Sequence, residues 1–510
     1  MQGRTVQELL EGRRLVVVSN RAPVSIRRRP AGPTYTPTVG GLVSALTGVF
    51  KASSGGLWVA WSGGDAPGDG SRVPPRVDLP VEDPYFKLRW LRLSERDVSQ
   101  YYHGFCNRGL WPLGHYFVGR CQFRAEQWQS YRRVNEIFAA ALLEEIEPDD
   151  IVWVQDFHLT LVPALVRQAR RETRLGLFWH IPFPEPSVFG ILPWRAPILE
   201  GMLGCDVLGF HTESYARNFL ACVERFLGRP VDWIRGSVKV GDREVRTVAW
   251  PIGIDAEAFE SLASQPETQQ RAARIRRQVG AERILLGVDR LDYTKGILER
   301  LAGFEHFLEQ SPESRGRITF VQIAVPSRER VEDYRRMKRD IDEAVGRLSG
   351  RFTRGGSVPV RYLYSSLPHA ELAAYYAAAD IALVTPLRDG MNLVAKEYVA
   401  TRIHDDGVLL LSEFAGAVED MSEAVHVNPY NVDDVSNQIG RALKMPLEEQ
   451  RTRMARLRAH VRERDIGWWL RSFLAEFRPD QVPLELPPTP ERRPAAEPAA
   501  VAGKRGVGGV

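Results

Sequence analysis

A chain of 510 residues exceeds what one hydrophobic core usually supports, so two domains of roughly 200 to 250 residues each are expected. Hydrophobic residues at 44% and charged residues at 26% describe a soluble globular protein, and 68 basic against 64 acidic residues leave a charge of only +4, which excludes a broad cationic field for nucleic acid. The four cysteines form no C-x-x-C pair and no metal-type spacing, no run of about 18 apolar residues occurs, and the first residues lack an apolar signal segment; reduced thiols and a cytoplasmic location follow, with no membrane partner.

Short β-branched runs alternate with longer amphipathic stretches, as expected of parallel strands buried on both faces and joined by helices. The first run, Leu15–Val18, ends in Ser19, Asn20 and the cation Arg21. The Arg27-Arg28-Arg29 run reads as a solvated loop rather than a binding patch. Gly40 and Gly41 open a helix whose free N–H groups can approach a phosphate with no Cβ in the way, although a glycine pair taken singly is a weak sign. Between Tyr101 and Trp111 aromatic residues gather near a turn; flat faces with polar tips suit sugar rings, and core packing is their commoner use. The run Ile151–Val154 leads to Asp156 and His158, and Leu175–Trp179 leads to His180, so all three stand just past strand ends. Val207–Phe210 and Val245–Ala249 complete a first set of strands.

Pro251 and Gly253 then break the rhythm, placing a boundary near Asp255. Residues 1–255 and 256–478 become two doubly wound, Rossmann-like α/β domains, with ligands expected in the interdomain cleft at the carboxyl ends of their strands. After Ile284–Val288 come Arg290 and Lys295, five residues apart on a connection into a helix. A planar guanidinium and a compact ammonium can converge on one diphosphate, each worth on the order of 4 kcal/mol of gross attraction near 4 Å at an effective dielectric of about 20. The other reading is a surface pair neutralised by Asp289 and Asp292. Ile318–Ile323 leads to a third cation, Arg328, aimed at the same cleft. Ile381–Val384 opens into a turn with Asp389 and Gly390 and then a helix, which aims N–H groups and a positive dipole end at an anion or sugar hydroxyl, with Glu397 about one turn further on. An ordinary strand-to-helix connection with a solvated Asp389 fits the same pattern. Val408–Leu411 and Ala424–Val427 close the second set, and residues 479–510, rich in Pro, Ala, Gly and Arg, are expected to form a disordered tail.

Taken in order, Ser19 to Arg21, Gly40 to Leu42, Tyr102 to Pro112, Asp156 to His158, His180 to Pro184, Arg290 to Gly296 and Asp389 to Glu397 closely resemble the trehalose-6-phosphate synthase family, from about Leu15 to Phe477. These are retaining glycosyltransferases (family 20) of GT-B fold. The resemblance implies transfer of glucose from a nucleotide-glucose, usually UDP-glucose, to glucose 6-phosphate, giving α,α-trehalose 6-phosphate. It puts Arg290 and Lys295 on the donor diphosphate, with Gly40 and Gly41 closing that site, the backbone of Asn392 and Leu393 alongside, Glu397 on the ribose and Leu367 near the base. Asp389 and His180 would bind donor glucose hydroxyls; Arg21, Tyr102, Trp111 and Arg328 would grip glucose 6-phosphate, with Asp156 contacting its sugar as a positioner.

No carboxylate cluster or D-x-D arrangement reads as a cation site, so no metal or other cofactor is expected and cationic groups must stabilise the leaving diphosphate. The last helix is a candidate to pack back on the first domain. Two features depart from the family pattern: Cys106 stands where Ser is commoner, and the Ala22–Val39 segment is longer and richer in Arg, so acceptor identity rests on less than donor chemistry. The competing readings are a glucosylglycerol-phosphate synthase using glycerol 3-phosphate, and a catalytically silent sugar-phosphate-binding homologue. A dehydrogenase is not supported, since no G-x-G-x-x-G follows a strand, nor is a fused phosphatase after Phe477. The donor base and homo-oligomer formation stay open.

Overall fold

The computed structural model describes residues 5–29, 32–37, 46–47, 49–51, 55–62, 76–327 and 332–478. Gly40, Gly41, Arg328 and the tail lie outside the described residues.

The apolar runs become the strands of two sheets. Seven parallel strands, in the order Arg243–Ala249, Val207–Phe210, Arg174–Phe178, Ile151–Gln155, Leu15–Arg21, Gly56–Trp61 and Phe86–Leu91, form the body of a ten-stranded sheet with short antiparallel additions at both edges. Six parallel strands form the second, in the order Val360–Tyr364, Ile318–Val325, Arg283–Arg290, Ile381–Val384, Val408–Ser412 and Val425–Val427. Counted along the chain, the parallel strands of both sheets run 3-2-1-4-5-6, and the first sheet adds one more beside its sixth. This is the doubly wound arrangement: connections leave strands 1 and 4 in opposite directions, so a crevice opens at their carboxyl ends. In the first sheet that switch point lies between Arg21 and Gln155, and in the second between Arg290 and Val384. Every residue of Ile151–Gln155, Ile381–Val384 and Val408–Ser412 is buried, which explains why they are apolar up to the closing Gln155 and Ser412.

Two local expectations are corrected. Arg27-Arg28-Arg29 is not a loop but the end of strand Val24–Arg29, paired antiparallel with Gly32–Pro37; the backbone ladder defines this ribbon, not apolar patterning. The aromatic segment is not near a turn but inside a wide, π-type helix, Val98–Leu110, continued by Trp111–Gly114, with the Trp111 N–H donating to the Cys106 carbonyl five residues back.

The chain passes between the domains at residues 250–255 and again near Arg464. Helix Ile466–Ala475 then returns to the first sheet, where the Trp469 and Phe473 rings lie 5.0 and 4.5 Å from Trp153. Gly176 makes room for it, since a Cβ there would lie 2.6 Å from the Phe477 ring.

Candidate active site

The two switch points face each other across a cavity of about 710 Å³. Arg21, Tyr102, Trp111, Asp156 and His180 line it from the first domain, and Arg290, Lys295, Asp389, Asn392 and Leu393 from the second. Leu367 and Glu397 do not line it. Leu367 is half-buried against the core, and Glu397, one turn along helix Leu393–Thr401, accepts a hydrogen bond from the Tyr376 hydroxyl at 2.8 Å; burial raises its carboxyl above the ordinary range.

One end of the cavity is cationic. Arg290 is exposed at the tip of its strand, with no carboxylate partner among the described residues, and its guanidinium sits 5.5 Å from the Trp111 ring of the other domain. Lys295 Nζ lies 2.5 Å from Asp389 Oδ2, to which Asn392 Nδ2 also donates at 3.0 Å. Burial alone would raise the Asp389 carboxyl, but the Lys295 charge and hydrogen bond outweigh it and hold the group below the usual carboxylate range. The reading in which Asp289 and Asp292 neutralise this pair of cations is not what the structure holds. Asp289 binds Arg300 at 2.7 Å, and Asp292 caps the Thr294 N–H and accepts from the Tyr334 hydroxyl, both at 3.1 Å.

Arg300, fully buried, also donates to Gln322 Oε1 at 3.0 Å, Thr385 Oγ1 at 2.8 Å and the Lys295 carbonyl at 3.2 Å. It thereby ties the Lys295 loop to both strands of the switch point. Gly296 completes the loop at φ +64°, where a Cβ would lie 2.3 Å from the Thr385 carbonyl oxygen. Asn392, at φ +82°, accepts from the Ala395 N–H at 3.4 Å and caps helix Leu393–Thr401, so the positive end of that helix opens on the cavity.

The other end carries a carboxylate, histidines and one cation. Asp156 leaves its strand at φ +72°, a conformation disfavoured for a side-chain-bearing residue, and its Oδ1 accepts from the His180 N–H at 3.2 Å. Burial works against the ionised carboxyl, but His158 Nδ1 at 3.5 Å from Oδ2 and the nearby His180 prevail and hold it below the ordinary range. His180 Nε2 lies 2.9 Å from Gln155 Oε1, and burial depresses its pKa, so the ring is neutral. Arg21 donates to the Tyr102 hydroxyl at 3.0 Å, and the Tyr102 ring stacks on His158 with centroids 6.0 Å apart.

Sequence reasoning passed over Arg300, His115, Gln155 and the closeness of the domain contact. His115 is buried, 4.2 Å from the Trp111 ring with Nδ1 2.8 Å from the Trp111 carbonyl; burial lowers its pKa to about 4. The domains touch around the cavity. Gly390 lies against the His180 backbone, the Tyr215 hydroxyl donates to the Asp389 carbonyl at 3.2 Å, and the Arg388 guanidinium is 3.8 Å from the Tyr116 ring.

Two doubly wound domains facing each other across a shared cavity, with cations and a helix N-terminus on one side and a sugar-sized polar surface on the other, define a GT-B glycosyltransferase. The chain belongs to glycosyltransferase family 20, whose model matches residues 13–479. It is 42% identical over 471 residues to a bifunctional trehalose-6-phosphate synthase/phosphatase of Thermoproteus tenax; the match covers 90% of this chain but 63% of that protein, less than two thirds of its length. It is 42% identical over 468 residues to the trehalose-6-phosphate synthase of Mycobacterium sp. (strain KMS), covering 90% and 94% of the two chains. Among solved structures, an α,α-trehalose-phosphate synthase (UDP-forming) from Burkholderia xenovorans in complex with glucose-6-phosphate matches with a TM-score of 0.81 at 33% identity, covering 91% of this chain and 99% of that one. No helix among the described residues is long and apolar enough to cross a membrane.

Proposed function

We propose that the chain transfers glucose from UDP-glucose to glucose 6-phosphate with retention at the anomeric carbon, giving α,α-trehalose 6-phosphate and UDP. One observation carries this reading: a single cavity brings Arg290, Lys295 and Asp389 of one domain opposite Arg21, Tyr102, Asp156 and His180 of the other. The names of the relatives, and the UDP-forming neighbour with its glucose-6-phosphate, support it over glycerol 3-phosphate as acceptor and over a silent binding protein.

In this reaction the bond from glucose C1 to the diphosphate oxygen breaks while the acceptor's anomeric hydroxyl approaches on the same face. The new C1–O bond forms there, and the hydroxyl proton passes to the departing phosphate oxygen. Charge growing on that phosphate is met by Arg290, Lys295 and the N-terminus of helix Leu393–Thr401, in a geometry set before the reaction starts. Asp389 and neutral His180 hold donor hydroxyls, while Glu397 and Leu367, which stand outside the cavity lining, keep the ribose and base roles that the family resemblance gives them. Ionised Asp156 orients the acceptor sugar, Trp111 lies along it, and Arg21 and Tyr102 take the acceptor phosphate. Gly40, Gly41 and Arg328 keep the roles the family resemblance gives them. With two cations on the leaving group the reaction calls for no metal ion, and activity should survive a chelator. Cytoplasmic action fits the nature of both substrates.

The test is a grid of UDP-, GDP- and ADP-glucose against glucose 6-phosphate and glycerol 3-phosphate, with product linkage and anomeric configuration read by NMR. An α,α-1,1 product from UDP-glucose and glucose 6-phosphate is expected. Preference for glycerol 3-phosphate, or binding without UDP release, would overturn the assignment.

A further inference from the structure

The helix that opens on the cavity also carries a residue that the chemistry above does not use. Lys396, with its side chain 1% exposed, donates from Nζ to the Ile252 carbonyl at 2.9 Å and lies 3.7 Å from Asp420 Oδ2. Ile252 belongs to the first crossing between the domains and itself lines the cavity. On the other side of the ammonium, Asp420 Oδ1 accepts from Arg464 Nη1 at 2.9 Å, at the second crossing. The crossings touch each other: the Ile466 N–H donates to the Ile254 carbonyl at 2.9 Å, and a Cβ on Gly253 would lie 2.4 Å from the Arg464 carbonyl oxygen. One ammonium and one carboxylate therefore fasten both covalent links between the domains to the helix whose N-terminus faces the cleft.

We propose that Lys396 is a positioning residue that couples the donor-facing helix to the interdomain hinge, so that holding the nucleotide sugar and closing the domains are mechanically one event. This rests on the donor site proposed above. A buried ammonium is costly unless its partners stay in place. A shift of the helix against the hinge large enough to break the Ile252 contact strands that charge, so helix and hinge have to move together. The charged and titratable groups facing Lys396 are Asp420, from the turn after Gly416–Glu419, Arg464, just past helix Leu447–Glu463, and His211, just past strand Val207–Phe210; His460 lies behind Asp420, 3.8 Å from its Oδ1. Burial lowers the Lys396 pKa to about 8 although Asp420 opposes this, so as pH rises through that value the positive charge is lost, the attraction to Asp420 goes with it, and the hydrogen bond to Ile252 weakens to that of a neutral amine.

The experiment compares the full-length parent, Lys396→Met and Lys396→Arg by UDP affinity in calorimetry, by KM for each substrate from pH 7 to 9, and by small-angle scattering with and without UDP plus glucose 6-phosphate. Lys396→Met should weaken UDP binding and raise the UDP-glucose KM about tenfold, the scale of a lost charged hydrogen bond, leave the glucose 6-phosphate KM within about twofold, and abolish ligand-induced compaction. In the parent the UDP-glucose KM should climb above pH 8, and in Lys396→Arg that climb should vanish because guanidinium stays charged. Unchanged UDP affinity and compaction in Lys396→Met, or equal rises in both KM values, would overturn the coupling. Should Lys396→Met fail to fold, Asp420→Asn must show the same donor-selective loss, and its absence overturns the proposal equally. A parent that binds UDP but forms no disaccharide, with that binding weakened in Lys396→Met, would overturn the transfer reaction and leave the coupling standing.

Discussion

Gly390 stands where the backbones of the two domains touch beside the site, and that closeness makes a sharp test. An ideal Cβ at this position would lie 2.3 Å from the His180 carbonyl oxygen and 3.1 Å from the Ile181 Cα, both backbone atoms of the opposite domain. Real Cβ atoms essentially never come within 3.0 Å of another heavy atom, so Gly390→Ala must hold the domains about 0.7 Å further apart at this point. The φ of Gly390 lies outside the left-handed region, so alanine meets no backbone obstacle of its own. The whole effect falls on the gap, whose walls carry Asp389 with Lys295 on one side and His180 with Asp156 on the other. A displacement on the order of 1 Å in a reacting geometry costs roughly 10²-fold, about 2.7 kcal/mol. Steady-state UDP release should show kcat/KM falling by about that factor, while the melting temperature stays within roughly 2 °C because neither core is touched. Turnover within about threefold of the parent would show that this contact is not part of the reactive form.

Three further outcomes follow from the same geometry. Lys295→Ala removes one preorganised cation from the leaving group and should cost about 2.7 to 4 kcal/mol of transition-state stabilisation, read in kcat; turnover within a few-fold of the parent would contradict its role. Arg300→Met strands the buried Asp289 carboxylate and should cost about 3 to 5 kcal/mol in urea unfolding, with part recovered in the Asp289→Asn/Arg300→Met double variant; equal losses in both would refute the pairing. His115, whose pKa falls to about 4 on folding, refuses a proton that the unfolded chain accepts near pH 6.5, so its stabilisation is whole above that value and fades as pH drops toward 4. His115→Gln should therefore flatten the acid limb of stability by about 3 kcal/mol between those limits, and an unaltered limb would exclude this histidine as its source.

What could be read from sequence was whatever is local. Strands buried on both faces advertise themselves as apolar runs, and ligand groups in a doubly wound fold sit at or just past the strand ends, which is where Arg290, Asp389, Asp156 and His180 stand. Gly56–Trp61 was passed over although it is just such a run; Phe86–Leu91 escaped because Lys87 and Arg89 alternate with its apolar residues, and the wide helix Val98–Leu110 because its hydrogen bonding departs from the 3.6-residue rhythm used to find helices. Arg300 and Lys396 escaped for a different reason. Read one helix at a time, each looks like a solvated cation; its meaning comes from Thr385, 85 positions away, or Ile252, 144 positions away.

The same distinction explains how a chain with a net charge of only +4 can organise three anionic phosphates. Charge is arranged along the cavity and not summed over the surface. Arg21 and Asp156 line it from one domain and Arg290, Lys295 and Asp389 from the other, both carboxylates held ionised by their neighbours. Cations with a carboxylate on each side suit a phosphate, a diphosphate and an anomeric carbon that turns cationic between them, and under the proposed transfer that charge order is fully developed only when the C1–O bond is broken. In the ground state the glucose ring is neutral, and the two carboxylates gain little from it beyond hydrogen bonds. Their electrostatic interaction strengthens as positive charge grows at C1, so their placement stabilises the transition state more than the bound substrates. Folding supplies this order because the two switch points face each other, and each sheet then needs to place only two or three groups at its own strand ends.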